Sequence, residues 1–271
     1  MENMLPHNPL VLAQITDSHL FASLDGLHHG HHVFNNLKKV LLSIVDNPQI
    51  HAIIFTGDLT QDHSEQSYQN FVDCVHACGV IIPIYYLAGN HDEPGLLDKY
   101  FAQSPFIADK VITTEKWQIQ LLDSKSDTPA GLVSGQALTS LQSTIEQDKY
   151  QFLLMHHHPI DVGYFIDKHG LQNKADFWQT VHRFNNIKAI ACGHVHGAME
   201  LSVSVTPGIN NSKQAQNTVE HKSLVTVYTC PATSMQFDPN VAGVGVLDDG
   251  PAYRIFTLNA DGNLHSDVVN C

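Results

Sequence analysis

The feature that most restricts this chain is an alternation of two periodicities. Short apolar runs rich in β-branched residues, Leu10–Ile15 (LVLAQI), residues 53–55 and residues 81–88, are separated by stretches whose apolar residues recur three and four apart. Leu37, Val40, Leu41, Ile44 and Val45 make one such helical stripe, followed by Pro48. Tyr68, Phe71, Val72 and Val75 make a second, with Ser64 placed to cap its start and Gly79 to end it. Pro83 implies an irregularity or an edge near the start of the third run. Further on, Trp117–Leu122, residues 152–155 and residues 187–191 read as strands, and residues 138–145 and the Phe177, Val181, Phe184 spacing as helices. Beyond Met199 the chain is β-rich, with strands expected at 224–229, 244–247 and 253–258 and a turn at Asp261-Gly262. The polar, turn-rich segment 206–221 reads as an excursion between strands. This order predicts a mixed α/β fold with two packed sheets. No boundary interrupts it, so residues 1–271 are expected to form a single domain.

Composition removes several functions. Acidic residues exceed basic ones by enough to give a net charge of −13, and the arginines are Arg183 and Arg254 alone. Such a chain is poorly suited to a nucleic-acid backbone or to a polybasic hold on a membrane. No apolar run approaches the roughly 18 residues of a membrane span, and the start of the chain lacks a basic stretch followed by an apolar one. The five cysteines (74, 78, 192, 230 and 271) follow no zinc-binding spacing. They are expected to be free thiols, Cys74 and Cys78 on one helical face, in a cytoplasmic protein. Histidine is the oddity: 19 imidazoles outnumber the 14 lysines and arginines together.

Position gives those histidines meaning. The inferred strands end in Asp17-Ser18-His19, in Gly57-Asp58, in Gly89-Asn90-His91-Asp92, in His156-His157-His158-Pro159 and in Gly193-His194-Val195-His196. Each motif taken alone is an ordinary turn or cap. Ligands of open α/β sheets gather beyond the carboxyl ends of strands, however, and here five ends offer Asp, His and Asn. Glycine stands beside three of the clusters, where it relieves crowding. Asp17, His19, Asp58, Asn90, His156, His194 and His196 form an imidazole-rich donor set, which suits Mn, Fe, Zn or Co better than Mg²⁺ or Ca²⁺. Seven donors are too many for one tetrahedral ion but fit two ions sharing a carboxylate, the device for in-line displacement at phosphorus.

These motifs, in this order over positions 17 to 196, resemble the calcineurin-like metallophosphoesterases. Within that superfamily the chain is most similar to the bacterial class III 3′,5′-cyclic AMP phosphodiesterases. The narrower likeness rests on Gln14-Ile-Thr-Asp-Ser-His19, Thr56-Gly-Asp-Leu-Thr-Gln-Asp62, Leu87-Ala-Gly-Asn-His-Asp92, Met155-His-His-His-Pro159, Trp117-Gln-Ile-Gln-Leu-Leu-Asp123 and Gln236-Phe237. The resemblance implies a four-layer α/β/β/α sandwich of two mixed sheets and a site with two divalent transition-metal ions, Fe or Mn first, with Zn or Co as alternatives. It implies that Asp17, His19, Asp58 and His196 hold one ion and that Asp58, Asn90, His156 and His194 hold the other. His91 is then the catalytic residue at the leaving oxygen, and Asn90, His91 and His158 contact substrate. The choice of His156 over His157 rests on its being first after the strand. The chain departs from the family in segment 206–221 and in the cluster His28-His29-Gly30-His31-His32, which reads first as a solvated loop and, as the alternative, as a cluster that reaches over the site or binds adventitious metal.

The implied reaction is hydrolysis of 3′,5′-cyclic AMP to 5′-AMP, with attack by a hydroxide bridging the metals and His91 as general acid on the 3′ alkoxide. Asp62 and Asp92 are each candidates either to orient His91 or to cap a turn. A monoester dianion is commonly gripped by an arginine fork, and no arginine stands in these motifs, which favours a diester. The alternatives are another diester (a glycerophosphodiester, a 2′,3′-cyclic nucleotide or cyclic GMP) and a non-catalytic scaffold of the same fold. The expected partner is a small cyclic nucleotide, with no nucleic acid and no membrane. The oligomeric state stays open, a homodimer included.

Overall fold

The computed structural model describes residues 5, 8–205 and 223–271, so segment 206–221 lies outside the described residues. In chain order the elements are β1 (Leu10–Ile15), β2 (Leu27–His28), β3 (His31–His32), α1 (Val33–Val45), β4 (Ala52–Phe55), α2 (Glu65–Ala77), β5 (Ile84–Tyr86) and α3 (Pro94–Tyr100). Then come β6 (Phe106–Ile107), β7 (Val111–Thr113), β8 (Trp117–Leu122), α4 (Gly135–Thr144), β9 (Tyr150–Met155) and a 3-10 turn (Phe165–His169). The chain finishes with α5 (Lys174–Val181), β10 (Ile187–Cys192), β11 (Met199–Val205), β12 (Ser223–Thr229), β13 (Ala252–Leu258) and β14 (Leu264–Asn270).

Two six-stranded sheets form, in the orders β14-β13-β1-β4-β5-β6 and β11-β12-β10-β9-β8-β7. Strands β1, β4, β5 and β6 run parallel, as do β8, β9, β10 and β12, while β13, β14, β11 and β7 pair antiparallel. Both sheets are therefore mixed. The strand alternation sorts side chains into layers. Val11, Ala13, Ile15, Ile53 and Phe55 face α1, α2 and α3 in one core. Their neighbours Leu10, Leu12, Ala52 and Ile54 meet Phe152, Leu154, Ala189 and Ala191 between the sheets. Leu153, Met155, Ile190 and Cys192 turn the other way, onto α4 and α5. Three cores separate four layers, and the α/β/β/α sandwich follows.

Local signals fall where the sequence puts them. The Ser64 hydroxyl accepts the Ser67 amide at the start of α2, and Gly79 takes φ +72 just past its end. Three expectations change. Residues 81–88 yield only the short β5, because Pro83 sits directly before it. Residues 244–247 form a loop with a single bridge, Phe237 to Val246. Strand β14, absent from the sequence reading, pairs with β13 across the Asp261-Gly262 turn. Among the described residues no helix is long and apolar enough to cross a membrane, and all five cysteines are free.

Candidate functional site

Parallel pairing aims the carboxyl ends of β1, β4 and β5 in one sheet, and of β9 and β10 in the other, at a common edge. The chain leaves those ends in an unusual conformation. Seven non-glycine residues among those described have positive φ, and five are Asp17 (54°), His19 (45°), Asp58 (56°), His194 (66°) and His196 (50°). An L-residue there costs on the order of 1–3 kcal/mol, and such strain gathers at working sites. Mutual hydrogen bonds hold the strained turns. The Asp17 amide donates to Gly57 O at 2.9 Å and the His19 amide to Asp58 O at 3.1 Å. The Asp92 carboxylate accepts the amides of Gly89, Asp58 and Leu59, each at 2.8 Å. Glycine is required where these turns touch: a Cβ on Gly89 would lie 2.1 Å from Asp58 Oδ1, and one on Gly193 2.2 Å from Thr16 Oγ1.

The seven expected donors come together as two groups. In the first, His196 Nε2 is 3.3 Å from Asp17 Oδ1 and 3.1 Å from His19 Nε2. In the second, His156 Nε2 is 3.4 Å from Asp58 Oδ2 and 3.1 Å from Asn90 Oδ1. Asp58 Oδ2 also lies 3.8 Å from His19 Nε2, which sets this carboxylate between the groups. The His194 ring centroid is 5.1 Å from that of His156, and its Nε2 is buried without a hydrogen-bond partner. Asp17 Oδ2 accepts the His194 amide at 2.9 Å, while Asp17 Oδ1 is buried and unpartnered.

The outer nitrogens fix which atoms face inward. His156 Nδ1 lies 2.7 Å from Thr56 O and His196 Nδ1 3.0 Å from Met235 O. A carbonyl only accepts, so each Nδ1 carries the proton and each Nε2 turns a lone pair toward an oxygen. Lone pairs opposed at such distances demand a positive charge between them. With protons alone, that charge goes to His156: burial would lower its pKa, but the charge and hydrogen bond of Asp58, with Asp17 and the Thr56 carbonyl, together push it up to about 9. Burial would raise Asp58, yet the His156 charge and hydrogen bond hold it well below the usual carboxylate range. Burial holds His19 and His194 well below an ordinary imidazole. Deprotonated imidazoles and carboxylates with orphaned inward atoms are what divalent ions require. The donor set fits two of them.

The other sequence candidates take distinct places. His91 donates its amide to Asp58 Oδ1 at 2.8 Å, and its ring lies 5.0 Å from that of His19. His63, which the sequence reading passed over, stacks on His91 at 5.5 Å and 3° and donates from Nδ1 to His91 O at 3.0 Å. Asp92 and Asp62 act as caps: the bonds of Asp62 go to the Ala22 and Ser64 amides and to the Ser64 and Thr60 hydroxyls. His157 lies within ligand reach of His156 and His194. Both its nitrogens are nevertheless engaged, Nε2 donating to Pro129 O at 3.2 Å and Nδ1 accepting from Ser124 Oγ at 2.9 Å. His158 has no exposed surface. It stacks behind His194 at 5.7 Å, with Nε2 3.3 Å from Asp167 Oδ1, and does not line the cavity.

That cavity has a volume of about 230 Å³. His19, Asp58, Asn90, His91, His194 and His196 line its floor, and His28, His29, Gln61, Pro129, Ile166, His169, Phe237 and Val244 its walls. Of the two readings of residues 28–32, the one that reaches over the site holds for His28, because β2 and β3 form a hairpin that carries it into the wall, while His32 stays solvated. Among the described residues that line the cavity there is no lysine or arginine, while Lys125 Nζ donates to the backbone carbonyl of the lining residue Asn90 at 3.3 Å. Arg254 is buried elsewhere and donates to Thr229 O, Met199 O and Ser266 Oγ, and Arg183 Nη1 donates to Gln142 Oε1 on the surface.

Residues 10–198, the span holding every donor, match the calcineurin-like phosphoesterase family. The chain belongs to that family. Among full-length relatives of this phosphoesterase, a protein of Colwellia psychrerythraea named "probable cyclic nucleotide phosphodiesterase" is 64% identical over 265 residues, covering 97% of this chain and 96% of that one. The 3′,5′-cyclic adenosine monophosphate phosphodiesterase CpdA of Vibrio vulnificus is 32% identical over 274 residues, covering 97% and 91%. A dimetal phosphatase from Danio rerio shares the fold, with a TM-score of 0.62 at 12% identity over 97% of this chain and 99% of that one.

Proposed function

We propose that the chain hydrolyses a 3′,5′-cyclic nucleotide, cyclic AMP foremost, to the 5′-nucleotide. The observation that carries this reading is a pair of donor groups sharing Asp58 on the floor of a cavity whose described lining holds no lysine or arginine. A monoanionic diester needs no guanidinium fork, so the lining favours it over a monoester dianion. The names of the two relatives support the same substrate class.

Two divalent transition ions, iron or manganese, held by Asp17, His19, Asp58 and His196 and by Asp58, Asn90, His156 and His194, would supply Lewis-acid charge to the phosphoryl oxygens and a more acidic water. The carbonyls of Thr56 and Met235 keep the His156 and His196 lone pairs aimed inward. Asp92 ties the Asp58 and Asn90 turns together through three amides. His91 hands a proton to the 3′ oxygen as its bond to phosphorus breaks, which spares the departure of a basic alkoxide. The His63 ring and its bond to the His91 carbonyl hold that imidazole in place. We place the whole chain in one domain and in the cytoplasm, where free thiols persist.

The test is a panel after loading with Mn²⁺ or Fe²⁺: cyclic AMP, cyclic GMP, 2′,3′-cyclic AMP, a bis-aryl diester and a monoester. Cyclic AMP is expected to give the highest kcat/KM among the nucleotides. A preference for the monoester overturns the reading.

A further inference from the structure

The β2–β3 hairpin is the part of the cavity wall that the donor groups leave without a task. Leu27 pairs with His32 and His28 with His31, and the turn between them places His29 at φ 47 and Gly30 at φ 85. This two-residue left-handed turn sends His28 inward. Its ring centroid lies 4.9 Å from that of His19 at 60°, and His29 backs it at 4.7 Å. His28 Nδ1 is buried without a hydrogen-bond partner. The residue nonetheless belongs to none of the groups whose donor atoms converge closely enough to hold an ion. A polar atom shut away from water in a cavity wall is unfavourable until a ligand completes it. Phosphoryl oxygens held over that floor, as the proposed function requires, would meet no lysine or arginine among the described lining residues.

We propose that His28 is a substrate-binding residue, donating a hydrogen bond from its ring to a non-bridging phosphoryl oxygen of the bound diester. The inference rests on the phosphodiester reading above. In that role the hairpin supplies, from outside the metal-donor motifs, a polar partner on the His19 side of the phosphoryl group.

The test compares His28→Ala and His28→Gln with the wild type, using His32→Ala, exposed on the other strand of the hairpin, as control. Four quantities are measured on metal-loaded protein: metal content, KM and kcat on cyclic AMP, the same on bis(p-nitrophenyl) phosphate, and calorimetric affinity for a slowly hydrolysed phosphorothioate analogue of cyclic AMP. His28→Ala is expected to keep both ions, to raise KM for both diesters about tenfold and to weaken the analogue about as much. His28→Gln recovers part of the loss through its amide N–H, and His32→Ala matches the wild type. Loss of metal, a loss confined to the nucleotide, or no loss at all overturns the inference. A wild type inert to both diesters defeats the hydrolysis reading and this inference with it. An active wild type with an unchanged His28→Ala defeats the inference alone.

Discussion

The chain carries two dense runs of imidazole, residues 28–32 and residues 156–158, and folding sends them to opposite environments. His156, His157 and His158 have no exposed surface, whereas His29 and His32 are exposed and His28 and His31 half-buried. The buried run leaves the end of β9, which lies inside its sheet between β8 and β10, so each successive side chain enters a different part of the interior. The other run sits on a two-stranded hairpin with solvent on one side. Within the buried run, three adjacent histidines meet three partner sets: Asp58 with Asn90, Ser124 with Pro129, and Asp167. Being histidine does not make a residue a ligand. A free lone pair aimed at other donors does, and the bond made by the second nitrogen decides it.

Substitution along the buried run puts this contrast at risk. The largest effect is expected at His156→Ala, which removes the inward lone pair: metal affinity falls by more than about a hundredfold and turnover with it, as elemental analysis and rate measurements would register. A fully loaded His156→Ala protein would break the distinction. His157→Ala is expected to keep both ions but to lose about 2–4 kcal/mol of stability in denaturant unfolding, through a cavity and a Ser124 hydroxyl proton left without its acceptor. Loss of ions at unchanged stability would make His157 the ligand instead. The mildest change is Gly170→Ala, whose Cβ would stand 2.8 Å from His158 Nε2. Crowding there should cost about 1–3 kcal/mol with metal content untouched. A drop in metal content would move His158 from a packing position into the centre.

Much of the architecture is legible in the sequence because the central strands are buried on both faces and so read as nearly unbroken apolar runs. Leu12 and Ile54 face one core while Val11 and Ile53 face another, and the apolar runs encode that directly. The donor motifs are legible because each follows such a run. Less visible are elements stabilised by contact alone. Helix α3 buries only Leu97, too little for a periodic signal. Strand β14 (LHSDVVN) is largely exposed and is defined by its pairing with β13. In residues 244–247 the apolar pattern suggests a strand, but Gly243 at φ 86 and Gly245 let the chain loop over the cavity. The roles of His63 and His28 depend on a stacking partner and a hairpin turn, and neither leaves a spacing signature. The positive φ values of Asp17, His19, Asp58, His194 and His196 are equally silent in the sequence, since aspartate and histidine more often occupy ordinary backbone regions.

Each donor group draws from both halves of the sandwich: Asp17 and His19 follow β1 while His196 follows β10, and Asp58 and Asn90 follow β4 and β5 while His156 follows β9. Ions seated there would act as a clasp across the seam. A slip of one sheet over the other by a fraction of an ångström would pry both seats open together. Core residues along that seam, such as Leu12, Ile54, Phe152 and Leu154, would therefore set the fit of a centre they never touch, and the rate of the enzyme would become a vernier for the alignment of its two halves.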